Sequence, residues 1–550
     1  MWPQSYTPIA DSLPISAIVA GLPILTMLVL LGIFRKPAWI SSLAGVAVAA
    51  LVALFAYQMP ASMVVSSSLY GAAYGLLPIG WIVFTAILLY RLTVETGNFE
   101  IIKDSIASLT GDRRLQALLI AFAFGAFLEG AAGFGTPVAV ASAMLAGLGF
   151  DPFFAAGICL LANTSPVAFG SIGVPIYTLR TVAGFSDILP LSSDVGRICA
   201  PLALFVPAYL MLVMGGWKAL KGVFPAAAVA GITFAATEYL VSTYIGPDVA
   251  ALLAAIVSFV ALFLLMMVWK PKESVAATPH RHTGGNVFLA WSPYVTLVIF
   301  VGLWGIAPVS AWLDRTTLDI LNLFGFHSLD PKVPTFAWPA LHNLVQRIPP
   351  VVKAPSPYGA AYKLNLLSAS GTSCLFSVFV SAAILGVSPG RLLKFTGATA
   401  NQLKLPLLTI SSMVALAYLM NYSGATTTLG LVIAGTGAAF PFFSPLLGWL
   451  GVFLTGSDTA ANALFGSLQV VTANRLGLNP VLMAAANSGG GVVGKMISLQ
   501  SIAVAAAATG MARSEEGKLF RFTLRHSVFL AVVIGLLTLF YAYVAPTWVR

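Results

Sequence analysis

The chain has 550 residues, of which 59% are hydrophobic and only 8% are charged, and its formal net charge is +10. Because a soluble globular domain carries about 25% charged residues, this composition excludes a soluble protein and indicates a polytopic membrane protein within the lipid bilayer. The basic residues are scattered between apolar segments, a pattern typical of cytoplasmic loops, so we expect no binding to nucleic acid.

Apolar segments recur from residue 13 to residue 546. Each membrane crossing needs roughly 20 residues, which predicts an all-α polytopic membrane protein with about 12 to 14 transmembrane helices. The first spans are predicted at about 13–34 and 38–57. Since no basic residue precedes the first of them, we interpret it as a membrane span and not as a cleaved signal peptide.

The segment that begins at Leu77 resembles a later segment that begins at Leu405. Five pairs of motifs follow one another in the same order, at an offset of 324 to 328 residues: LPIGWIVFTAILLY and LPLLTISSMVALAY, TVETG and MNYSG, GAFLEG and GVFLTG, LGFDP and LGLNP, ANTSPVAFG and ANSGGGVVG. We therefore predict two transport repeats, over residues 77–176 and 405–500.

The distribution of basic residues predicts how the two repeats are oriented. They follow the first matched span (Arg91, Lys103, Arg113 and Arg114) but precede the second (Arg391, Lys394 and Lys404). Because basic loops stay in the cytoplasm, equivalent spans should cross in opposite directions. This predicts inverted repeats with broken or re-entrant helices, which in secondary transporters place the substrate site at the repeat interface. The alternative is that scattered lysines imitate the pattern.

The rest of the chain is predicted to connect or flank the repeats. We expect N-terminal transmembrane spans over 1–76, connecting spans over 177–311, a polar loop over 312–363, a span and basic loop over 364–404, and a C-terminal basic segment with a final span over 501–550. Within the connecting spans, Glu238 is expected to snorkel to the membrane surface. An intramembrane position is the alternative.

Two acidic residues occupy nearly equivalent places in the repeats, Glu129 in FLEGAAGFG and Asp458 in FLTGSDTAANALFG. An ionisable residue inside a membrane span is costly to keep there and indicates a functional site. Because burial favours the protonated form of a carboxyl group, both residues are candidates for proton coupling. The alternative is a structural carboxylate that accepts hydrogen bonds from backbone N–H groups at a helix break.

Small and polar residues surround the two carboxyl groups. Glycines are predicted to break the helices so that free N–H groups face an anion, and they are Gly130, Gly133, Gly135 and Gly456. Candidate substrate-binding residues are Asn163, Thr164, Ser165, Asn421, Thr455, Ser457, Asn487, Ser488 and Lys495. Lys495 either attracts an anionic substrate or neutralises Asp458, and the sequence leaves both open. The alternative for the whole set is helix packing alone.

The sequence contains no sign of enzyme chemistry. HExxH and GxSxG motifs are absent, and the five histidines do not cluster at ligand spacing. We therefore expect no enzyme activity, no catalytic residue, no metal site and no cofactor.

Six runs together resemble the bacterial L-lactate permease family over essentially the whole chain: FLEGAAGFGTPVA, NTSPVAFGSIGVP, NYSG, FFSPLLGWLGVFLTGSDTAANALF, GKMIS and LFRFTLRHS. The resemblance implies a multi-pass symporter of the bacterial cytoplasmic (inner) membrane that takes up L-lactate, and also D-lactate and glycolate, with protons. A sodium-coupled symporter of small carboxylates is the alternative. One departure is Leu499, where the family pattern has Pro; Pro175 stands at the corresponding position of the first repeat.

The chemistry of the two breaks suits a small 2-hydroxy monocarboxylate, which carries one negative charge and one hydroxyl group. N–H donors, hydroxyl groups and one cation are present around them. Moving an anion into a negatively charged interior is uphill, so cotransport with at least one proton would make the step neutral or favourable.

Overall fold

The computed structural model of the chain describes residues 1–34, 36–133, 136–271, 282–323, 334–350, 352, 354–512 and 515–549. The described residues of the first half form ten α-helices: α1 Leu13–Gly32, α2 Ala38–Leu51, α3 Ala61–Tyr74, α4 Trp81–Glu95, α5 Asn98–Ala107, α6 Arg113–Gln116, α7 Gly125–Ala131, α8 Thr136–Gly147, α9 Pro152–Ala162 and α10 Gly170–Ala183. Wider π-helical turns extend α2 over Val52–Ala56 and join α6 to α7 over Ala117–Phe124, whereas α3 and α4 meet over Gly75–Gly80 at a kink where the backbone of Leu77 is extended.

Two helices connect this half to the second, α11 Leu189–Tyr244 and α12 Ala250–Val268. The backbone of α11 leaves helical geometry at Gly215, Gly216 and Val223, which divides it into two limbs. The second half contains α13 Gly284–Trp304, α14 Ala307–Leu323, α15 Ser370–Ile384, α16 Pro389–Ser423, α17 Ala425–Ile433, α18 Phe440–Thr455, α19 Asp458–Leu476, α20 Pro480–Gly494, α21 Leu499–Thr509 and α22 Glu516–Tyr543. Short 3₁₀ turns lie at Val167–Phe169, Ala434–Ala439, Lys495–Ile497 and Pro546–Trp548.

In the described part of the chain, 10 helices are long and apolar enough to cross a membrane, or 12 if two bent helix pairs are each one span. Two shorter apolar helices, Pro137–Gly147 and Ser370–Ile384, lie beside them. This predominantly helical architecture confirms the predicted fold class and identifies a multi-pass membrane protein, although the 10 to 12 candidate spans of the described residues only reach the lower bound of the predicted 12 to 14.

The matched spans of the two repeats pack against each other in opposite directions. Near the middle of the pair, Ser411 Oγ donates a hydrogen bond to Ala72 O at 3.0 Å. At its end, Arg391 Nη2 donates to Glu95 O at 3.4 Å. As the chain advances along α3 and α4, the partner residues therefore move backwards along α16. Equivalent helices that run antiparallel confirm the predicted inverted repeat.

Each repeat contains a re-entrant hairpin, and the two hairpins open towards opposite ends of the bundle. In hairpin 1 (residues 113–147), Arg113 Nη2 donates to Gly149 O at 3.1 Å, so the hairpin enters and leaves on one side. In hairpin 2 (residues 440–476), Ser444 Oγ near one end donates to Gln469 Oε1 at 2.8 Å near the other. We call the side with Arg91, Lys103, Arg113, Arg391 and Lys404 the basic side; hairpin 1 opens there and hairpin 2 opens at the opposite side.

The matched motifs LGFDP and LGLNP form the same turn in both repeats. Gly149 and Gly477 adopt left-handed backbone angles, with φ of 86° and 68°, which only glycine adopts without strain. The Asp151 and Asn479 side chains then accept hydrogen bonds from backbone N–H groups of the next helix, and a proline follows each of them as the first helical residue. The motif therefore ends one helix and starts the next.

The two-fold relation extends beyond the segments that the sequence matched. Helix α10 packs on α19, and the equivalent α21 packs on α8. Outside the predicted repeats, α1 packs on α2 and α17, while α13 packs on α15 and α5 in the same relation. The predicted N-terminal spans are thus counterparts of α13 and α15, which sequence comparison did not match because apolar spans share little besides their hydrophobicity.

The predicted polar loop over 312–363 contains regular structure where the chain is described. Helix α14 covers its beginning, and four short strands follow among the described residues: β2 Thr335–Ala337, β3 Val345–Arg347, β4 Ser356–Tyr358 and β5 Ala361–Lys363. A further short strand, β1 Trp2–Pro3, comes from the beginning of the chain. Strands β1, β3 and β4 form one sheet, and β2 pairs antiparallel with β5. Tyr70 OH donates to Ala361 O at 2.8 Å and Tyr422 OH donates to Gly359 O at 2.6 Å, which fixes these strands on α3 and α16.

Two helices bend sharply inside the repeats. Helices Pro152–Ala162 and Val167–Ala183 meet at 68°, and Pro480–Ile497 and Leu499–Thr509 meet at 41°. The second bend forms without a proline at position 499. Ser498 supplies the break, because its backbone is extended and its side chain accepts a hydrogen bond from the N–H of Ser501.

Candidate functional site

The tips of the two hairpins meet at a small cavity inside the bundle. Its volume is about 60 Å³, room for a few water molecules. The first repeat contributes Glu129, Val167, Gly170, Ser171 and Pro175, and the second contributes Gly456, Ser457, Asp458, Thr459, Lys495 and Gln500. The cavity therefore lies at the repeat interface and contains both predicted carboxyl groups and the predicted lysine. We call it the central cavity.

Glu129 lies in the last turn of α7, just before the tip of hairpin 1. Its side chain is 4% exposed and accepts a hydrogen bond from Asn163 Nδ2 at 3.0 Å. Asn163 comes from the break between α9 and α10, and its Oδ1 atom has no hydrogen-bond partner among the described residues. A Cβ atom on Gly170 would lie 2.8 Å from Glu129 Oε1, so the glycine leaves the space that the carboxyl group fills.

Asp458 begins α19 at the tip of hairpin 2 and is 3% exposed. Both of its hydrogen bonds reach the same oxygen, Oδ2, which accepts from Ser488 Oγ at 2.5 Å and from Asn462 Nδ2 at 3.2 Å. The other oxygen, Oδ1, has no partner among the described residues. One face of this carboxyl group is therefore held by the protein, while the second oxygen is left to take a proton or an external donor.

A chain of amide and hydroxyl groups continues from Asp458 along hairpin 2 and α20. Asn487 Nδ2 donates to Asn462 Oδ1 at 2.9 Å, and Gln469 Nε2 donates to Asn487 Oδ1 at 3.1 Å. Asn462 Nδ2 also donates to Pro175 O of the first repeat at 3.2 Å. All three amides are completely buried, so this network orients Asp458 and ties its hairpin to α10.

Lys495 lies in the short turn after α20 and is 7% exposed. Its ammonium group donates to Gly456 O at 2.7 Å, the carbonyl group at the end of α18. It makes no ion pair with Asp458 or Glu129 in the described part of the chain. The lysine thus lines the central cavity together with both carboxyl groups and contributes a positive charge without neutralising either one by direct contact.

The other candidate binding residues fall into two groups. The first group lies at the helix breaks or in the buried network and consists of Thr164, Ser165, Thr455, Ser457, Asn487 and Ser488. Within it, Ser165 Oγ has no hydrogen-bond partner among the described residues. Asn421 lies elsewhere. Its side chain donates to Val182 O at 3.2 Å and to Ser467 Oγ at 2.7 Å, and so links α16 to α10 and α19 away from the central cavity.

The predicted helix-breaking glycines also differ in position. Gly133 and Gly456 lie at the tips, with left-handed φ values of 46° and 74°. Gly130 lies within α7, where its missing side chain lets the helix approach the backbone of Leu252 on α12. The break of hairpin 1 therefore follows Ala131 and not Gly130. Gly135 lies outside the described residues.

A cleft of about 340 Å³ approaches the central cavity from the basic side. Ser457, Thr459 and Gln500 line both the cleft and the cavity, while Gln402 and Thr409 line the cleft alone. A solute in the cleft would therefore meet the tip of hairpin 2 first.

Sequence reasoning missed part of the site and misplaced one acidic residue. It missed Asn462 and Gln469, which lie one and three helical turns after Asp458 on the same face of α19. This spacing forms a polar stripe in the sequence and could have identified both residues. Glu238 does not snorkel to the surface; it is completely buried, and neither carboxyl oxygen has a partner among the described residues. The second limb of α11 packs on α12 and on the first limb, where Gly231 lies against the backbone of Leu204, and hydropathy alone does not reveal this packing.

No three His, Cys, Asp or Glu side chains of the described residues come together as ligands for a metal ion. Two inverted repeats whose re-entrant hairpins meet at a small polar cavity define a membrane transporter.

The chain belongs to the L-lactate permease family, whose sequence profile matches residues 16–545. It is 46% identical to the L-lactate permease of Bacillus subtilis (strain 168), over 98% of each chain. It is 45% identical to the glycolate permease GlcA of Escherichia coli (strain K12), over 99% of this chain and 98% of that one. Among solved structures, Neisseria gonorrhoeae MtrF matches 88% of this chain and 84% of its own, with 13% identity and a TM-score of 0.43, too low to support an argument.

Proposed function

We propose that this protein takes up L-lactate, and also D-lactate and glycolate, across the bacterial cytoplasmic membrane by proton symport. The observation that carries the coupling is the geometry of Asp458. A buried carboxyl group with one oxygen fixed by two donors and the other without a partner can carry a proton into the site and release it again. The names of the chain's relatives, L-lactate permease and glycolate permease, support small 2-hydroxy monocarboxylates as the substrate class.

The charges of the central cavity support coupling to protons. Glu129 and Asp458 ionised, together with the Lys495 ammonium group, leave one net negative charge. A substrate carboxylate adds a second negative charge in a space with little water, which is unfavourable. Protonation of one carboxyl group offsets the charge of the substrate. The proton therefore favours the binding of the substrate, and the substrate favours the binding of the proton.

The size of the cavity supports a transport cycle in which the hairpin tips move. At about 60 Å³ it admits only a few water molecules, so a hydroxy acid requires the tips to separate. Since basic residues stay in the cytoplasm, we assign the basic side to the cytoplasm. The cleft that reaches Ser457, Thr459 and Gln500 is then the cytoplasmic route.

Sodium coupling is the second candidate, and one observation favours it. Asn163 Oδ1 and Ser165 Oγ are buried oxygens without a partner among the described residues, and Asn163 also contacts Glu129. Oxygen atoms of this kind are ligands for hard cations. At hairpin 2, by contrast, the Lys495 ammonium group already occupies the Gly456 carbonyl oxygen.

Uptake of labelled L-lactate into proteoliposomes separates the two couplings. With the membrane potential set to zero, an inward proton gradient should drive accumulation at equal sodium concentrations on both sides. An inward sodium gradient at equal pH should not. Accumulation that follows the sodium gradient alone would contradict proton symport, and no uptake of lactate or glycolate under either gradient would contradict the proposed substrates.

A further inference from the structure

A second cavity lies on the side opposite to the basic side, and its residues do not line the central cavity. Its volume is about 230 Å³, and Tyr177, Arg180, Asp248, Ser310, Lys363 and Ser370 are among the residues that line it. We call it the outer vestibule. Helix α10 lies between it and the central cavity, because Pro175 lines the central cavity while Tyr177 and Arg180 line the outer vestibule.

Two of the charged groups that line the outer vestibule, Lys363 and Asp248, have hydrogen-bond partners in the protein. Lys363 Nζ donates to Asp314 Oδ2 at 3.0 Å. Tyr177 OH donates to Asp248, with its oxygen 2.9 and 3.0 Å from the two carboxylate oxygens, and lies 2.8 Å from Ser370 Oγ. Both carboxylates thus have donors from the protein.

Arg180 is different. Its guanidinium group makes no hydrogen bond and no ion pair within the described part of the chain, and its Nε atom is buried without a partner. A guanidinium group carries five N–H donors in a plane that matches a carboxylate. A partly buried cation that lines a cavity with its donors unused is suited to bind an anion from solution.

We propose that the outer vestibule is a binding site for small organic carboxylates, held by Arg180, where the substrate waits before α10 and the hairpin tips admit it to the central cavity. This inference rests on the proposed uptake function and adds an entry site to it. The hydroxyl group of Ser310, which lines the vestibule, supplies a partner for the hydroxyl group of a 2-hydroxy acid.

The test measures the initial rate of uptake of labelled L-lactate into right-side-out membrane vesicles and compares the native protein with variants of Arg180. Arg180→Gln should raise the KM for external lactate about 10-fold, equivalent to about 1.4 kcal/mol, while the maximal rate changes less than about twofold. The KM for lactate on the inner side should stay unchanged. Arg180→Lys should recover part of the loss, and Arg475→Gln, which removes an exposed cation from the end of hairpin 2, should behave as the native protein.

A labelling experiment keeps the proposal testable if Arg180→Gln does not insert. The native cysteines are all buried, so Ser310→Cys should be the site that a membrane-impermeant maleimide modifies from outside. External lactate should slow that modification, and the protection should persist with Asp458→Asn. An unchanged external KM in Arg180→Gln, or no protection of Ser310→Cys, overturns the outer site. Native vesicles that take up no lactate would instead contradict the proposed function.

Discussion

Replacing Asp458 by Asn tests the coupling because the change removes the titrating group with little change in shape. Ser488 Oγ and Asn462 Nδ2 both donate to Oδ2, and the amide oxygen of an asparagine can accept both bonds in the same place. The new NH₂ group then takes the position of Oδ1, which has no partner among the described residues. An unsatisfied buried polar group costs about 1–3 kcal/mol, so we expect the variant to insert and fold.

The effect on transport should be much larger than the effect on folding. One pH unit corresponds to about 1.4 kcal/mol per proton, so an inward gradient of one unit drives up to a 10-fold accumulation when one proton accompanies each lactate anion. Without the titrating carboxyl group, Asp458→Asn should reach equal concentrations on both sides. Exchange of internal for external lactate should remain, because it needs no net proton transfer.

The assay is gradient-driven uptake into proteoliposomes with the membrane potential held at zero, followed by lactate exchange in the same preparation. The Asp458→Glu variant, which keeps a carboxyl group, should retain part of the accumulation and serves as the matched control. Thermal unfolding in detergent reports whether the fold is intact. A folded Asp458→Asn protein that accumulates lactate as the native protein does would refute the role of Asp458.

Three further substitutions test other parts of the structure. Because neither carboxyl oxygen of Glu238 has a partner among the described residues, Glu238→Met should stabilise the protein by about 1–3 kcal/mol, and a lower thermal midpoint would show that the carboxyl group is satisfied after all. Gly170→Ala would place a Cβ atom 2.8 Å from Glu129 Oε1, so we expect an at least 10-fold lower uptake rate at normal expression; native uptake would mean that this contact does not matter. Leu499→Pro should be tolerated and should stabilise the folded protein by about 0.4–1 kcal/mol, because the backbone of the preceding Ser498 is already extended, with φ −62° and ψ 135°. Thermal unfolding measures this change, and loss of folded protein would contradict that geometry.

The sequence predicted the membrane class, the repeat and its inversion because these depend on local properties. Hydropathy reports which segments prefer lipid, and basic residues report which ends stay in the cytoplasm. Motifs such as LGFDP and LGLNP specify a turn by their own backbone and capping preferences, and both form that turn in the structure. Glu129 and Asp458 stood out for a similar reason, since a single acidic residue is conspicuous in an apolar span.

Which side chains meet could not be predicted in the same way, because contacts between distant segments depend on how the helices pack. Asn421 matched the polar pattern of a binding residue, yet it contacts Val182 and Ser467 away from the central cavity. Glu238 was predicted at the membrane surface, but the packing of α11 leaves its side chain completely buried.

The sequence by itself determined that this chain crosses the membrane many times, as two related halves of opposite orientation, each with one carboxyl group in a glycine-rich break. Only the tertiary structure decided that the two breaks face each other across one cavity and that Lys495 donates to Gly456 instead of pairing with Asp458. The same is true of Arg180, whose guanidinium group is left without a partner in the described part of the chain. The physical reason is that hydropathy and turn chemistry act within a segment, whereas the partner of a buried charge is set by which helices pack beside it.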